Sequence, residues 1–245
     1  MSAYDGPNII TDGLSFCVDA ANIRSYPGTG NTITDVSLNA NILATTGTVP
    51  YTSNEGGYFT FPGTAANYIG VNTVTFPSTS FDRTIICWVW PDSTGPSNPY
   101  TGLIRIGNSA STTPSDAILL CLNTLSATWG VASAFWSNDY NPGTALPVIK
   151  DAWNMVAIIA RSAPTINNTT LICGNANGFN SLTGSSSSYQ KGLQNTNTFL
   201  RIGCTDVDGS RPMKGRISYT SMYNRELSLV EIQQNFTALR SRYGI

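Results

Sequence analysis

Between Gly215 and Tyr223 apolar and polar positions alternate: Ile217, Tyr219 and Tyr223 fall on one face and Ser218, Thr220 and Met222 on the other, the period of a β-strand. No charge interrupts the run between Arg216 and Arg225, so a mostly buried strand is expected. After a turn at Asn224-Arg225-Glu226 the period changes. Ile232, Phe236, Leu239 and Tyr243 recur at i, i+4, i+7 and i+11, one stripe of a helix. Ser228, followed three residues later by Glu231, forms a capping box that opens this helix. Arg240 and Arg242 suit its negative end and Gly244 its stop. The spacing predicts a helix over 229–243 whose apolar stripe must lie on something.

Elsewhere short apolar runs are separated by clusters of Gly, Pro, Asn and Ser. Strands are predicted near 14–18, 41–45, 58–61, 67–71, 84–90, 103–106, 117–122, 128–131, 153–161, 169–173, 198–202 and 215–223. The Gly/Pro/Ser-rich stretch 92–100 and the Gly/Asn/Ser-rich stretch 175–189 read as long surface loops. Trp88, Trp90 and Trp153 lie inside apolar runs and are assigned to the core. Many short strands with almost no helix imply an all-β fold, a two-sheet antiparallel jelly-roll sandwich with one short C-terminal helix. At 245 residues the chain fits one such domain over 1–245, preceded by a short arm, 1–8.

Composition narrows the function. Only 11% of residues are charged and the net charge is −1, which leaves no electrostatic footprint for nucleic acid and no basic stripe for a membrane. So little charge, with many Ser, Thr, Asn and Gly, suits a chain that lives in an assembly. The opening residues have neither a basic start nor an apolar run, so no signal peptide is expected, and no apolar segment approaches the ~20 residues that span a bilayer. The five cysteines, Cys17, Cys87, Cys121, Cys173 and Cys204, are odd in number, lack C-x-x-C spacing and sit in apolar runs. Buried free thiols are expected.

The motif Gly215-x-Ile217-Ser218…Met222-Tyr223-Asn224-Arg225-Glu226-Leu227-Ser228-x-x-Glu231-Ile232-x-Gln234-Asn235-Phe236, ending in Arg242-Tyr243-Gly244-Ile245, resembles the tail of laminin-G-like, concanavalin A-like jelly rolls of tailed-bacteriophage virion proteins, those of cyanophages especially. Gly13-Leu14…Asp19-Ala20-Ala21-Asn22…Ser25-Tyr26-Pro27-Gly28-Thr29-Gly30 is similar to the opening of the same domains. Phe61-Pro62-Gly63…Tyr68-Ile69, Trp153-Asn154 and Leu200-Arg201-Ile202-Gly203 follow in the family's order. Two positions depart: Asn67 replaces an Asp often found before the Tyr-Ile pair, and Leu171-Ile172-Cys173-Gly174 replaces a Tyr-x-Asn-Gly hairpin. The resemblance implies a virion structural protein.

Candidate chemistry is sparse. The chain has no histidine, which removes Ser-His-Asp and Cys-His arrangements and every His-containing zinc site. Glycan-cleaving relatives carry paired glutamates in a Glu-x-Asp-x-x-Glu arrangement. The glutamates here are Glu55, alone in a loop, and Glu226 and Glu231 at the final turn and helix start, so no catalysis is expected. Asp206 and Asp208, two apart beside Gly209, are the candidate calcium ligands, or a plain polar turn. Asp19, at the end of the first strand, reads as a turn former. Trp129, Trp136, Asn138, Asp139 and Tyr140 combine rings that stack on sugars with groups that bond hydroxyls, a candidate carbohydrate site; otherwise the two Trp pack the sandwich edge. Tyr4, Pro7 and Asn8 in the uncharged arm are candidates for docking on a partner. No cofactor is expected.

The functional expectation is a non-enzymatic tailed-phage virion protein, made in the host cytoplasm, most simply a capsid decoration protein bound to the major capsid protein or to its own copies. A tail or fibre adhesin that binds host-surface glycans is the alternative.

Overall fold

The computed structural model describes residues 7–74, 82–95, 100–108, 117–124, 127–134, 139–161, 168–184, 198–205 and 209–245. Two eight-stranded antiparallel sheets pack face to face. Strands are numbered along the chain. The first sheet runs β14 (Gly178–Gly184), β13 (Thr169–Asn175), β12 (Asn154–Ala160), β7 (Arg83–Pro91), β16 (Lys214–Tyr223), β5 (Tyr58–Pro62), β4 (Tyr51–Thr52), and β1 (Leu14–Asp19) also pairs with β16. The second runs β11 (Pro147–Val148), β10 (Trp129–Ala134), β9 (Ala117–Asn123), β8 (Tyr100–Asn108), β15 (Thr198–Ile202), β6 (Tyr68–Val71), β3 (Ile42–Thr46), β2 (Thr32–Thr34). The predicted all-β sandwich is therefore what the chain forms, with α1 over Leu229–Arg240 and a 3-10 turn over Ser241–Tyr243 as its C-terminal helical segment.

The first sheet is apolar on both faces, and this explains why its central strands read as runs rather than alternations. Ile85, Cys87 and Val89 of β7 and Val156 and Ile158 of β12 face the second sheet, where they meet Leu120, Val131, Leu200 and Ile106. Ile86 and Trp88 of β7 and Met155, Ala157 and Ile159 of β12 face outward and are covered by α1. All four predicted stripe residues, Ile232, Phe236, Leu239 and Tyr243, are buried there. Trp88 stacks on Phe236 at 5.6 Å and on Tyr243 at 4.2 Å. The stripe thus lies on the outer face of the chain's own sheet.

The helix opens as its capping box requires. Ser228 accepts from the Glu231 amide, and the Glu231 carboxylate accepts from the Ser228 amide at 2.8 Å. Arg225 also bonds that carboxylate at 2.7 Å, and together these donors pull its pKa from the ordinary 4.5 to about 2. A folded pKa below the unfolded one means that this stabilisation is complete above about pH 4.5 and is lost as pH falls toward 2. Glu231→Gln is expected to lose about 1 kcal/mol at pH 7 and only a small part of that at pH 2, the remainder vanishing below the folded pKa, which urea unfolding at the two pH values checks.

The face assignment along β16 needs one correction. The register on β7 shifts between Ile217 and Tyr219, so Ser218 is an extra residue in a β-bulge. Ile217 consequently joins Met222 in the sandwich interior while Tyr219 and Tyr223 face outward under the helix. Ser218 uses its bulged position to donate to the Gly57 carbonyl at 2.6 Å and to accept from the Tyr243 hydroxyl at 2.9 Å, which ties the C-terminus to the bulge.

Stretch 175–189 also differs from expectation. A hairpin closes at the Asn175–Gly178 pair and continues into edge strand β14, leaving residues 185–189 outside the described part. The signal was Asn177-Gly178 followed by Phe179 and Leu182. Strands β2, β4 and β11 are three, two and two residues long, too short for a readable period.

All five cysteines are free and buried. Burial raises the pKa of Cys17, Cys87 and Cys173 to about 12, so their thiolates are rare at neutral pH. Titration of unreduced protein is expected to find five thiols after denaturation and almost none before; fewer than five would show a disulfide.

Candidate functional site

On the outer face of the first sheet, beside the C-terminal end of the helical segment, β5, β16 and β7 build a cleft of about 480 Å³. Its floor follows from strand register. Thr60, Arg216 and Trp90 stand directly opposite one another across the three strands, and Lys214 lies opposite Pro62. Lys214 and Arg216 are two positions apart on β16, with Gly215 between them, so both side chains project to the same face. Asp92 and Asp151 line the side of the cleft, and Tyr58 its other wall.

Arg216 sits between two rings, with its guanidinium carbon 4.7 Å from the Tyr58 centroid and 4.7 Å from that of Trp90. Trp153 backs both rings, edge-on to Trp90 at 5.9 Å and tilted against Tyr58 at 6.0 Å. Glu55 fixes the cation: Arg216 Nη1 donates to it at 3.0 Å and Trp153 Nε1 donates to the same oxygen at 3.4 Å. Glu55 is therefore not alone in its loop. It opens three successive left-handed residues, Glu55, Gly56 and Gly57, with φ of 50°, 79° and 80°. A non-glycine residue in that region is strained, as is Asp151 at 53°, so strain collects around the cleft.

The cleft acids are ionised. Asp92 Oδ1 accepts from the Thr94 hydroxyl and amide, and those bonds hold its carboxyl below the usual range. The Ser93 hydroxyl and the Ser93 amide, which donates to Asp151 Oδ1, lower the pKa of Asp151 too. Lys214 donates to the Thr94 hydroxyl and lies 3.9 Å from Asp92 Oδ2.

Sequence-selected residues fall elsewhere. Trp129 is 6% exposed in the sandwich core, with Lys150 Nζ 4.8 Å over its ring. Tyr140 is half-buried and pairs through its backbone with Ser133; Asp139 is exposed. Trp136, Asn138, Asp206, Asp208 and Tyr4 lie outside the described residues. Among the described residues no group of three His, Cys, Asp or Glu side chains is placed to hold a metal. Pro7 is exposed, but Asn8 is not a free lead-in. Its carbonyl accepts from Gln234 of α1 at 2.8 Å, and Ile10 is held by Asn235 and Tyr223. Asp19 caps its own turn through the Ala21 amide and pairs with Arg242 at 2.7 Å. Asn67 is spent inside its loop, accepting from Thr48 and donating to Thr64 and Ala65. Glu226 pairs with Arg161. Trp90, assigned to the core from its apolar run, is partly exposed and lines the cleft. Sequence reasoning missed this site because its floor comes from three strands distant in the chain; the available signal was Lys214-x-Arg216 leading a strand that is otherwise uncharged.

Structures of similar fold are known. Trypanosoma rangeli sialidase in complex with 2,3-difluorosialic acid matches 97% of this chain with a TM-score of 0.59 at 16% identity, over 35% of its own length. An arabinofuranosidase complexed with arabinofuranosyl-alpha-1,2-xylobiose matches 87% with a TM-score of 0.62 at 14% identity, over 51% of its length. The binding domain of botulinum neurotoxin DC, in complex with SialylT, matches 94% with a TM-score of 0.56 at 12% identity, over 52% of its length. This chain thus spans between 35% and 52% of those three structures. No curated protein matches the sequence. The laminin-G-like profile described as the concanavalin A-like lectin/glucanases superfamily matches residues 62–233, and with its two face-packed antiparallel sheets the chain belongs to that superfamily.

Proposed function

We propose that this chain is a non-enzymatic glycan-binding sandwich of a tailed-phage virion, acting as an adhesin for host-surface glycans. The cleft carries the reading: it joins exposed aromatic surface to charged groups of both signs, the surface chemistry that holds a sugar ring and its hydroxyls. The ionised state of Asp92 and Asp151 supports binding without hydrolysis. The likeness of both chain ends to phage virion domains supports the virion as its location and other virion proteins as its partners.

The affinity of one such site is modest. A pyranose of about twelve non-hydrogen atoms, at about 0.3 kcal/mol per atom, gains about 4 kcal/mol, a Kd of order 1 mM. Display of many copies on a particle raises avidity by factors of about 10² to 10⁴. Binding of protein-coated beads to a glycan array tests the reading; an array that stays empty at high bead valency overturns it.

One observation favours capsid decoration as the second reading. In the turn between β2 and β3, and at the start of β3, Leu38 is fully exposed and Ile42 is 56% exposed, beside an edge strand of the second sheet. Apolar residues at an open strand edge suit contact with a neighbouring virion protein such as the major capsid protein. Recovery of the protein in hundreds of copies on tail-less capsids would favour decoration, and recovery of a few copies on isolated tails would favour the adhesin.

A further inference from the structure

Charge and hydrogen-bond capacity in the cleft narrow the ligand class. Three carboxylates, Glu55, Asp92 and Asp151, face two cations, Lys214 and Arg216, so the local net charge is −1. Both acids in the cleft wall keep acceptor capacity: among the described residues the hydrogen bonds to Asp92 fall on Oδ1, with Lys214 3.9 Å from its Oδ2, and Asp151, bonded by Ser93, is exposed. Arg216 uses only Nη1, on Glu55, and its Nη2 and Nε make no hydrogen bond among the described residues. Acceptors and donors therefore stand open together. A hydroxyl can donate to the first and accept from the second at once, whereas a carboxylate can only accept and meets the surplus negative charge.

We infer that the cleft binds a neutral saccharide, whose adjacent hydroxyls bridge the carboxylates of Asp92 and Asp151 and the open N–H groups of Arg216, with the exposed part of Trp90 against its C–H face. This rests on the glycan-binding reading above and adds the class of sugar and the site. Glu55 is a positioning residue. It touches no ligand, but its strained turn holds Arg216 between Tyr58 and Trp90 and leaves the other guanidinium edge free.

Isothermal titration with a panel of neutral and uronic or sialylated oligosaccharides tests the inference. Neutral ligands are expected to bind at least tenfold more tightly than acidic ones of matched size, with a Kd that changes less than twofold between 50 and 500 mM NaCl. Trp90→Ala and Arg216→Lys are each expected to weaken the neutral ligand at least fivefold. The paired change Asp92→Asn with Asp151→Asn moves the local charge from −1 to +1. It is expected to raise the acidic-to-neutral affinity ratio at least tenfold, a ratio that a mere loss of folded protein leaves unchanged. Both substitutions keep the turn-forming shape, and Asn tolerates the left-handed backbone of residue 151. Acidic ligands binding as tightly as neutral ones overturn the ligand class and leave glycan binding intact. Neutral binding that ignores Trp90→Ala and Arg216→Lys, in variants whose circular dichroism matches the parent, overturns the site. Absence of binding to every saccharide overturns this inference and the proposed function together.

Discussion

Phe236→Ala is expected to lower stability by about 3–5 kcal/mol, the range for removing a buried aromatic side chain and leaving a cavity. Phe236 is 4% exposed and lies in the middle of the helix stripe. Its ring is parallel to Trp88 within 4° and 5.9 Å from Phe179 on β14, so one residue joins the helix to both the centre and the edge of the first sheet. Gly174 lies directly beneath it: a Cβ there would stand 2.8 Å from the ring, so the backbone of β13 is already in close contact. A chain of this size shifts its melting temperature by about 2–4 °C per kcal/mol, and the variant should therefore melt roughly 6–20 °C lower. Val230→Ala, at a position 75% exposed on the same helix, should change the melting temperature by less than about 2 °C. Equal melting of Phe236→Ala and the parent would mean that the helix does not dock on its own sheet in solution.

Gly215→Ala should destabilise the cleft more than any surface change around it. Gly215 has φ of +136°, and a Cβ on it would stand 2.1 Å from the Trp90 carbonyl oxygen and 3.0 Å from the Asp92 amide. Neither neighbour is a flexible side chain, so β16 and β7 must separate where Lys214, Arg216, Trp90 and Asp92 meet. Strained backbone plus overpacking amounts to about 2–4 kcal/mol. Sugar binding should fall in the same variant even at temperatures where it is folded, because the spacing of the two strands sets the distance between the cations and the acids. Gly143→Ala is the contrast. Its φ is +65° with nothing within 4 Å of the added carbon, so only the left-handed strain is felt, about 1 kcal/mol, and binding should be unchanged. Calorimetric melting and titration of the two variants check both halves.

What the sequence determined by itself was local in origin. Ser228 and Glu231 close a capping box within four residues, and the period of Ile232, Phe236, Leu239 and Tyr243 needs only the helix repeat, so both were legible before any tertiary contact was known. The absence of histidine and the scatter of the cysteines likewise limited the chemistry directly. The central strands of the first sheet, β7, β12 and β13, were legible as apolar runs, since covering both faces removes alternation and leaves little polar to obscure them, whereas edge strands β14 and β4 were not. Tertiary structure decided the rest. No period announces the bulge at Ser218, because it arises from fitting β16 between β7 on one side and β5 with β1 on the other; that one extra residue moved Ile217 to the opposite face from Tyr219. The cleft was likewise illegible. Glu55, Trp90 and Arg216 stand in three separate segments, and each looks ordinary there: a loop acid, a strand Trp, a strand-end cation. Only antiparallel pairing of β5, β16 and β7 sets Arg216 between two rings with its charge held by Glu55, and a binding site of this kind is a property of register across strands rather than of any stretch of chain.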